Sequence, residues 1–316
     1  MINIKKPLFW DKKKNIISLI LSPLTYFTKI NNFIINSKTK YKPQNIFSIC
    51  VGNIYIGGTG KTPLVLKLYE LLSKNKKSVI IGKKFYKNQL DEIYLIRKKT
   101  ELITKKTRLL IIKDAIKRKK KIIIFDDGLQ EKYLDYNLKI VCFDTLNWIG
   151  NGMLIPSGPL REKIDNLSKY DAVFLKNMKK PSKSIIQTIK KINPKIEIFN
   201  FQYYIKNIKN LSLKKKYLIF SGIGNPYSFF EFLKKNKFRI IKKIIYPDHN
   251  NYNESDFIYI MKQAKKLNAE IVTTEKDYIK IPLKFKKRIK YLDIGIILKE
   301  QKKVINFFKK KINEKY

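Results

Sequence analysis

Short unbroken apolar runs alternate along this chain with stretches of helical spacing, and that alternation predicts an α/β protein. Residues 46–52 hold Ile46, Phe47, Ile49, Cys50 and Val51 in near-continuous sequence, the pattern of a parallel strand buried on both faces. Leu64, Val65, Leu68, Leu71 and Leu72 then share one face of a helix over 63–74. The strand pattern returns at 78–81, at Lys121-Ile122-Ile123-Ile124-Phe125, at 138–143 and at 170–175. Asp91-Glu92 opens a helix through Leu95 and Ile96, as acidic residues favour a first turn. Residues 108–112 predict a short strand and 114–119 a short helix, while 196–208 read as a strand or ribbon leaving the domain.

A second α/β series begins at Tyr217-Leu218-Ile219-Phe220. Strands are predicted over 240–246, 270–274 and 288–298, with helices carrying Phe229, Phe230 and Leu233, then over 255–267 and 300–312. The expected fold is therefore a parallel-sheet domain over 39–205 and a smaller α/β domain over 206–316. Before them, residues 16–35 are mostly apolar but interrupted by Pro23, Lys29, Asn31 and Asn32. A bilayer span needs about 20 mainly apolar residues, so this run reads as no clean span. Two readings compete for the region 1–38: an interfacial helix bordered by lysines and aromatics, or a helix docked on the protein's own core. No small-residue cleavage site follows it, so a secretory signal is not expected.

The strongest chemistry sits between the first strand and the first helix. Ile56-Gly57-Gly58-Thr59-Gly60-Lys61-Thr62 has the form of a phosphate-binding loop. Its glycines let backbone N–H groups approach an anion, and the helix N-terminus adds partial positive charge. Lys61 would reach the β- and γ-phosphates of a bound nucleotide, and the Thr62 hydroxyl would sit on Mg²⁺. Pro63 suits a first helical turn. Tyr55 stands where the commonest form of the loop has its first glycine. Asp126-Asp127-Gly128 ends an all-apolar strand, where a carboxylate can meet such a loop and hold Mg²⁺; Asp-Gly is also good turn chemistry. Thr62 and one acid of the Asp126-Asp127 pair are the metal candidates at this loop. The glycine- and proline-rich stretch 150–162 has the length and composition of a functional loop.

Charge changes the picture less than its size suggests. The formal net charge is +44, from 69 Lys and Arg against 25 Asp and Glu. Lysine is spread along the whole length with isoleucine and asparagine, the mark of biased coding, and attraction to anionic lipid follows as a by-product. No nucleic-acid-binding motif accompanies the charge, and no nucleic-acid partner is expected. Cys50 and Cys142 lie in predicted strands as buried thiols, and no histidine–cysteine metal cluster exists in a chain with a single histidine, His249.

In order along the chain stand Val51-Gly52-Asn53, the Gly57–Pro63 loop, Asp91-Glu92, Asp126-Asp127-Gly128-Leu129-Gln130, Gly150-Asn151-Gly152 and Pro156-Ser157-Gly158-Pro159-Leu160-Arg161-Glu162. Gly222-Ile223-Gly224-Asn225-Pro226, Pro247-Asp248-His249 and Thr274-Glu275-Lys276-Asp277 follow. This set resembles the tetraacyldisaccharide 4′-kinases of lipid A biosynthesis. The resemblance implies transfer of the ATP γ-phosphoryl group to the 4′-hydroxyl of a tetraacyldisaccharide 1-phosphate. It also implies a monotopic protein on the cytosolic face of the inner membrane, with two α/β domains closing over the nucleotide and no obligate protein partner. On the same footing Asp91 matches the catalytic aspartate and His249 its partner, the two brought together by domain closure, with Asp127 near Mg²⁺ in a metal set of Thr62, Asp127 and Glu92. Arg161 is expected to hold the substrate phosphate, because a guanidinium binds phosphate bidentately, and Asn151 to join it at the substrate. The chain departs from the family pattern at Gly82-Lys83-Lys84-Phe85-Tyr86-Lys87, at Leu90 and Ile93 around the acidic pair, and at Asn250. The alternative is a switch NTPase with a Gly-Gly-x-Gly-Lys-Thr loop acting on a protein or metal partner.

Overall fold

The structure is a computed structural model, and it describes residues 7–13, 15–74, 78–177 and 182–315. Twelve strands are assigned among them: β1 Phe47–Gly52, β2 Val79–Lys84, β3 Leu102–Lys105, β4 Ile122–Asp126, β5 Leu138–Asp144, β6 Ala172–Lys176, β7 Glu197–Ile205, β8 Lys216–Ser221, β9 Arg239–Ile245, β10 Glu270–Thr274, β11 Ile289–Leu292 and β12 Ile294–Leu298. The helices are α1 Ile16–Ile20, α2 Thr25–Ser37, α3 Lys61–Ser73, α4 Leu90–Lys99, α5 Arg108–Lys117, α6 Lys183–Ile192, α7 Pro226–Lys235, α8 Glu254–Lys266, α9 Glu275–Tyr278, α10 Leu283–Lys286 and α11 Gln301–Asn313.

The chain forms two compact units. The large one holds Pro7–Tyr86, Ile96–Gln202 and the chain from Ile296 onward; the small one holds Lys87–Leu95 and Tyr203–Gly295. An eight-stranded sheet in the order β12-β7-β6-β5-β1-β4-β2-β3 organises the large unit. β1 lies at its middle, parallel to β4 on one side and to β5 on the other. All six residues of β1 are buried, which is why it reads as an apolar run and not as an alternation. Val51 pairs with Asp126, so the end of β4 stands beside the strand that feeds the glycine loop. The four-stranded parallel sheet β11-β10-β8-β9 builds the small unit, with Phe257 and Ile260 of α8 packed on Leu218, Phe220 and Ile271.

The structure departs from the pattern-based reading in three respects. Residues 108–112 are not a strand: Thr107 accepts a hydrogen bond from the Leu110 amide and caps α5. Arg108, Ile111, Ile112 and Ala115 are then buried at helical spacing, and the strand is β3, just before the cap. Residues 288–298 are two strands, not one. The chain breaks at Asp293, with β11 in the small sheet and β12 in the large one. The domain bounds differ in two places as well: Lys87–Leu95 belongs to the small unit instead of the domain drawn over 39–205, and the chain from Ile296 onward to the large unit instead of the domain drawn over 206–316.

The N-terminal apolar run is broken into α1 and α2 by a short 3-10 turn holding Pro23. Among the described residues, no helix is long and apolar enough to cross a membrane. Polar groups tie the segment to the 150–162 loop. Trp10 Nε1 donates to the Pro156 carbonyl at 2.9 Å, the Thr28 hydroxyl to Ile155 at 2.7 Å, and the Asn32 amide to Arg161 at 2.8 Å. Ile16, Leu19, Ile20, Phe27 and Phe33 are left on the outside, each at least 66% exposed.

Candidate active site

The glycine loop delivers Lys61 and Thr62 to the first turn of α3. Gly60 caps that helix at φ 93°, a left-handed conformation that glycine adopts without strain. Lys61 Nζ donates to Asn53 Oδ1 at 2.9 Å and lies 3.5 Å from Asp127 Oδ2. The Thr62 hydroxyl donates to Asp126 Oδ2 at 3.0 Å. Asp127 was the acid expected at the metal; the hydroxyl turns to Asp126 because Asp126 is the last residue of β4, in register with Val51. Asp127 has already left the strand, at φ 66°, and Gly128 follows at φ 146°. A Cβ on Gly128 would stand 2.5 Å from Arg108 Nε, so glycine is required there.

Cations surround this acidic pair. Lys83 Nζ, buried at the end of β2, meets Asp126 Oδ2 at 2.9 Å. Arg161 Nη1 reaches Asp127 Oδ2 at 3.3 Å, and the Arg108 guanidinium donates to the Asp127 carbonyl. Burial alone would raise the Asp127 carboxyl, but Lys61, Arg161, Lys83 and Arg108 hold it well below the ordinary carboxylate range. Lys83 and Arg108 were not singled out from sequence. Lys83 lies in a segment that departs from the family pattern, and Arg108 in one read as a strand.

The two family-like motifs are bonded to each other. Gln130 Nε2 donates to Glu162 Oε1 at 2.5 Å, and Arg161 Nη1 lies 3.4 Å from Gln130 Oε1. Glu162 also accepts from the Tyr170 hydroxyl and from Asn166. Tyr55, the departure from the usual loop, forms an antiparallel bridge to Leu160 and packs with Leu154 and Leu160. Its neighbour Ile56 gives its amide to the Pro159 carbonyl at 2.8 Å. The amide of Ile56, expected among the ATP-binding groups, is thus engaged within the loop. Asn151 differs from its expected substrate role in the same way. Its side chain donates to Ser18 Oγ and the Ser157 carbonyl and accepts from the Met153 amide, so it shapes the 150–162 loop.

In the small unit, His249 and Asp91 are in contact without any closure. His249 Nδ1 lies 3.0 Å from Asp91 Oδ1 and 3.2 Å from Oδ2. His249 has φ 57°, and its amide bonds the Gly222 carbonyl at 3.2 Å and Asp248 Oδ1 at 3.0 Å. Lys280 Nζ pairs with Asp91 Oδ2 at 3.0 Å. Glu92, expected at the metal, instead pairs with Lys276 at 3.1 Å, beside His249 Nε2 at 3.7 Å. Burial pushes the Asp91 carboxyl up, but the His249 hydrogen bond and the charges of Lys276 and Lys280 outweigh it and hold the pKa down to about 2.

Residues 17–313 match the family model described as tetraacyldisaccharide-1-P 4′-kinase. The chain belongs to that family. It is 45% identical to the tetraacyldisaccharide 4′-kinase of Pelagibacter ubique over 319 residues, covering 99% of this chain and 100% of that one. It is 35% identical to the Rickettsia bellii protein of the same name, covering 89% and 91%. The fold matches the Aquifex aeolicus LpxK crystal structure in complex with ATP, with a TM-score of 0.68 at 22% identity, covering 94% of this chain and 100% of that one. Membership makes the chain an ATP-using kinase of lipid A biosynthesis and sets aside the switch-NTPase reading.

Proposed function

We propose that the kinase phosphorylates the 4′-hydroxyl of a tetraacyldisaccharide 1-phosphate with two sets of side chains. The Gly57–Lys61 amides and the Lys61 ammonium bind the β- and γ-phosphates of ATP, because phosphoryl transfer depends mainly on charge stabilisation and positioning. Arg161, which pairs with Asp127, adds a second cation on the nucleotide side; this reading supersedes its expected place at the substrate's 1-phosphate.

The residues present fit Mg²⁺ through Thr62 and Asp126. Asp126 is nearly fully buried, and its Oδ1 has no hydrogen-bond partner among the described residues. An orphaned carboxylate oxygen beside a loop hydroxyl suits a hard cation that keeps most of its other positions for phosphate and water. Mg²⁺ bound there supplies charge neutralisation on the β- and γ-phosphate oxygens.

The Asp91–His249 hydrogen bond at 3.0 Å is the observation that carries the acceptor side of the reading. This pair takes the proton of the sugar hydroxyl as it attacks. The exposed apolar face of α1 and α2, with lysines around it, docks the enzyme on an anionic lipid surface, the cytosolic face of the inner membrane. Mass spectrometry of a tetraacyldisaccharide 1-phosphate incubated with the protein, ATP and Mg²⁺ tests the reaction. A mass gain of one phosphate, localised to the 4′-position, is expected; ATP hydrolysis with unmodified lipid would overturn it.

A further inference from the structure

Beside the Asp91–His249 pair, Lys276 sets how His249 works. Lys276 Nζ lies 3.1 Å from Glu92 Oε1, 3.2 Å from Asp248 Oδ1 and 3.3 Å from His249 Nε2, with Asp91 Oδ2 at 3.9 Å. An ammonium group carries three N–H bonds and no lone pair, so it can only donate. Three acceptors at hydrogen-bond distance match its three donors. The imidazole nitrogen facing it must therefore present its lone pair, and the ring's proton must sit on the other nitrogen. That other nitrogen, Nδ1, is the one 3.0 Å from Asp91. Taking the Asp91–His249 pair as the proton-accepting unit, we propose that Lys276 is a positioning residue: it fixes the His249 tautomer that bears hydrogen on Nδ1 and directs that hydrogen at Asp91.

The surroundings of Lys276 are built for that task. It belongs to α9, a single turn whose entry is fixed by Asp277. The buried Asp277 carboxylate accepts from the Thr274 hydroxyl at 2.7 Å, the Gly222 amide at 3.0 Å and the Tyr252 hydroxyl at 2.9 Å. Gly222 in turn offers its carbonyl to the His249 amide, so one small network locates both the lysine and the histidine. Burial works against the charge on Lys276, but Glu92, Asp248 and Asp91 more than offset it and keep the amine protonated throughout the working range. In the Thr274-Glu275-Lys276-Asp277 motif, then, Asp277 anchors the turn and Lys276 acts on the histidine. With its Nε2 lone pair occupied, His249 serves the reaction through Asp91, whose Oδ1 also accepts from the Glu92 amide at 2.8 Å.

His249 is the only histidine of the chain, so histidine-selective ¹⁵N labelling of the full-length protein gives one pair of ring-nitrogen signals. Long-range ¹H–¹⁵N correlation at about pH 8.5, well above the ordinary imidazole range, reads the tautomer without reference to turnover. The expected result is a protonated Nδ1 and an unprotonated Nε2 in the wild type. Lys276→Met leaves Asp91 as the sole group favouring Nδ1–H, so the Nε2–H fraction should rise measurably above the wild type, and Lys276→Arg should keep it at the wild-type level. Asp248→Asn, which weakens the ion-pair web but leaves the donor in place, should also keep it there. A wild-type ring protonated on Nε2 overturns the proposal, and so does a folded Lys276→Met with the wild-type pattern or an Asp248→Asn shift as large as that of Lys276→Met. If Lys276→Met does not fold, the wild type and Lys276→Arg decide. Full kcat in His249→Ala would reject the base assignment and leave the tautomer result standing.

Discussion

The Thr62 hydroxyl donates to Asp126 at 3.0 Å, while the next acid in sequence, Asp127, faces Lys61 at 3.5 Å and Arg161 at 3.3 Å. Adjacent carboxylates therefore have different work, and single substitutions should separate them. Asp126→Asn is expected to raise the Mg²⁺ concentration for half-maximal turnover by about tenfold or more, since a metal-site carboxylate is weakened. Asp127→Asn should leave that concentration nearly unchanged and act on KM for ATP, because it alters the setting of Lys61 and Arg161. A Mg²⁺ titration of turnover in both variants checks this; the opposite pattern would return the metal role to Asp127.

Lys61→Ala should lower kcat by roughly 10²–10³-fold or more, the usual effect of removing one group that stabilises transition-state charge. The fold should persist, because Lys61 sits at the first position of α3 and the helix's buried face is Leu64, Val65, Leu68, Leu71 and Leu72. Circular dichroism beside a phosphoryl-transfer assay reads both. Near-normal turnover in a folded variant rejects the loop as the nucleotide site.

Much of this was legible in the chain. Strand, glycine loop and helix are set by neighbours in sequence: a run of apolar residues, a loop rich in glycine, a helix face of four leucines and one valine. What escaped is carried by partners far apart. The pairing of Asp91 with His249 across 158 positions was expected only from the resemblance, and its place within one unit was not. No local pattern says that the first turn of α4 belongs with the small sheet. Lys280 was hidden among 69 basic residues, and Lys276 stood in a motif of the resemblance without a role, so only their distances to Asp91 and Glu92 give them one. The choice between Asp126 and Asp127 depends on where β4 ends, and a one-residue difference there reverses which carboxylate meets Thr62. The split of 288–298 at Asp293 was invisible for a related reason: both halves are apolar enough to be strand, and only the sheets they join differ.

The N-terminal segment offers a sharper test than deletion, because α1 and α2 also hold the 150–162 loop through Trp10, Thr28 and Asn32. Leu19→Glu, Phe27→Glu and Phe33→Glu alter side chains that are 66–72% exposed, leaving those hydrogen bonds in place. Each large apolar side chain moved from water into lipid is worth about 1.5–3 kcal/mol. The triple variant should therefore leave the lipid fraction in flotation on anionic vesicles while keeping its thermal midpoint. Unchanged flotation would reject this face as the membrane contact.

His249→Ala should lower kcat by roughly 10²–10⁴-fold, the ordinary range for general acid–base catalysis. ATP affinity should stay near the wild-type value, since the substitution leaves the glycine loop, Lys61 and Thr62 untouched. Equilibrium nucleotide binding and single-turnover transfer separate the two quantities. Weakened ATP binding with kcat intact at saturation would make His249 a nucleotide-site residue and remove the base assignment.

Acid should expose the energetics of Asp91. Its carboxyl is held at about 2, below the ordinary 3.8, because the His249 hydrogen bond and the Lys276 and Lys280 charges outweigh burial. A carboxyl group with a depressed pKa in the folded state favours folding once the pH is above its unfolded value, and loses that contribution as the pH falls toward the folded value. The contribution of Asp91 is therefore complete above about pH 4 and vanishes between about pH 4 and pH 2. A depression of this size corresponds to about 2 kcal/mol. The comparison must be made against Asp91→Asn, because a chain of net charge +44 destabilises itself in acid through self-repulsion, and both proteins share that effect. Denaturant midpoints measured from pH 7 down to pH 2 should show the wild type ahead of Asp91→Asn by a constant margin to about pH 4, then a margin that shrinks. A margin that stays flat to pH 2 would mean that Asp91 is not held ionised by His249 and its lysines, and the charged pair on which the acceptor chemistry rests would lose its support.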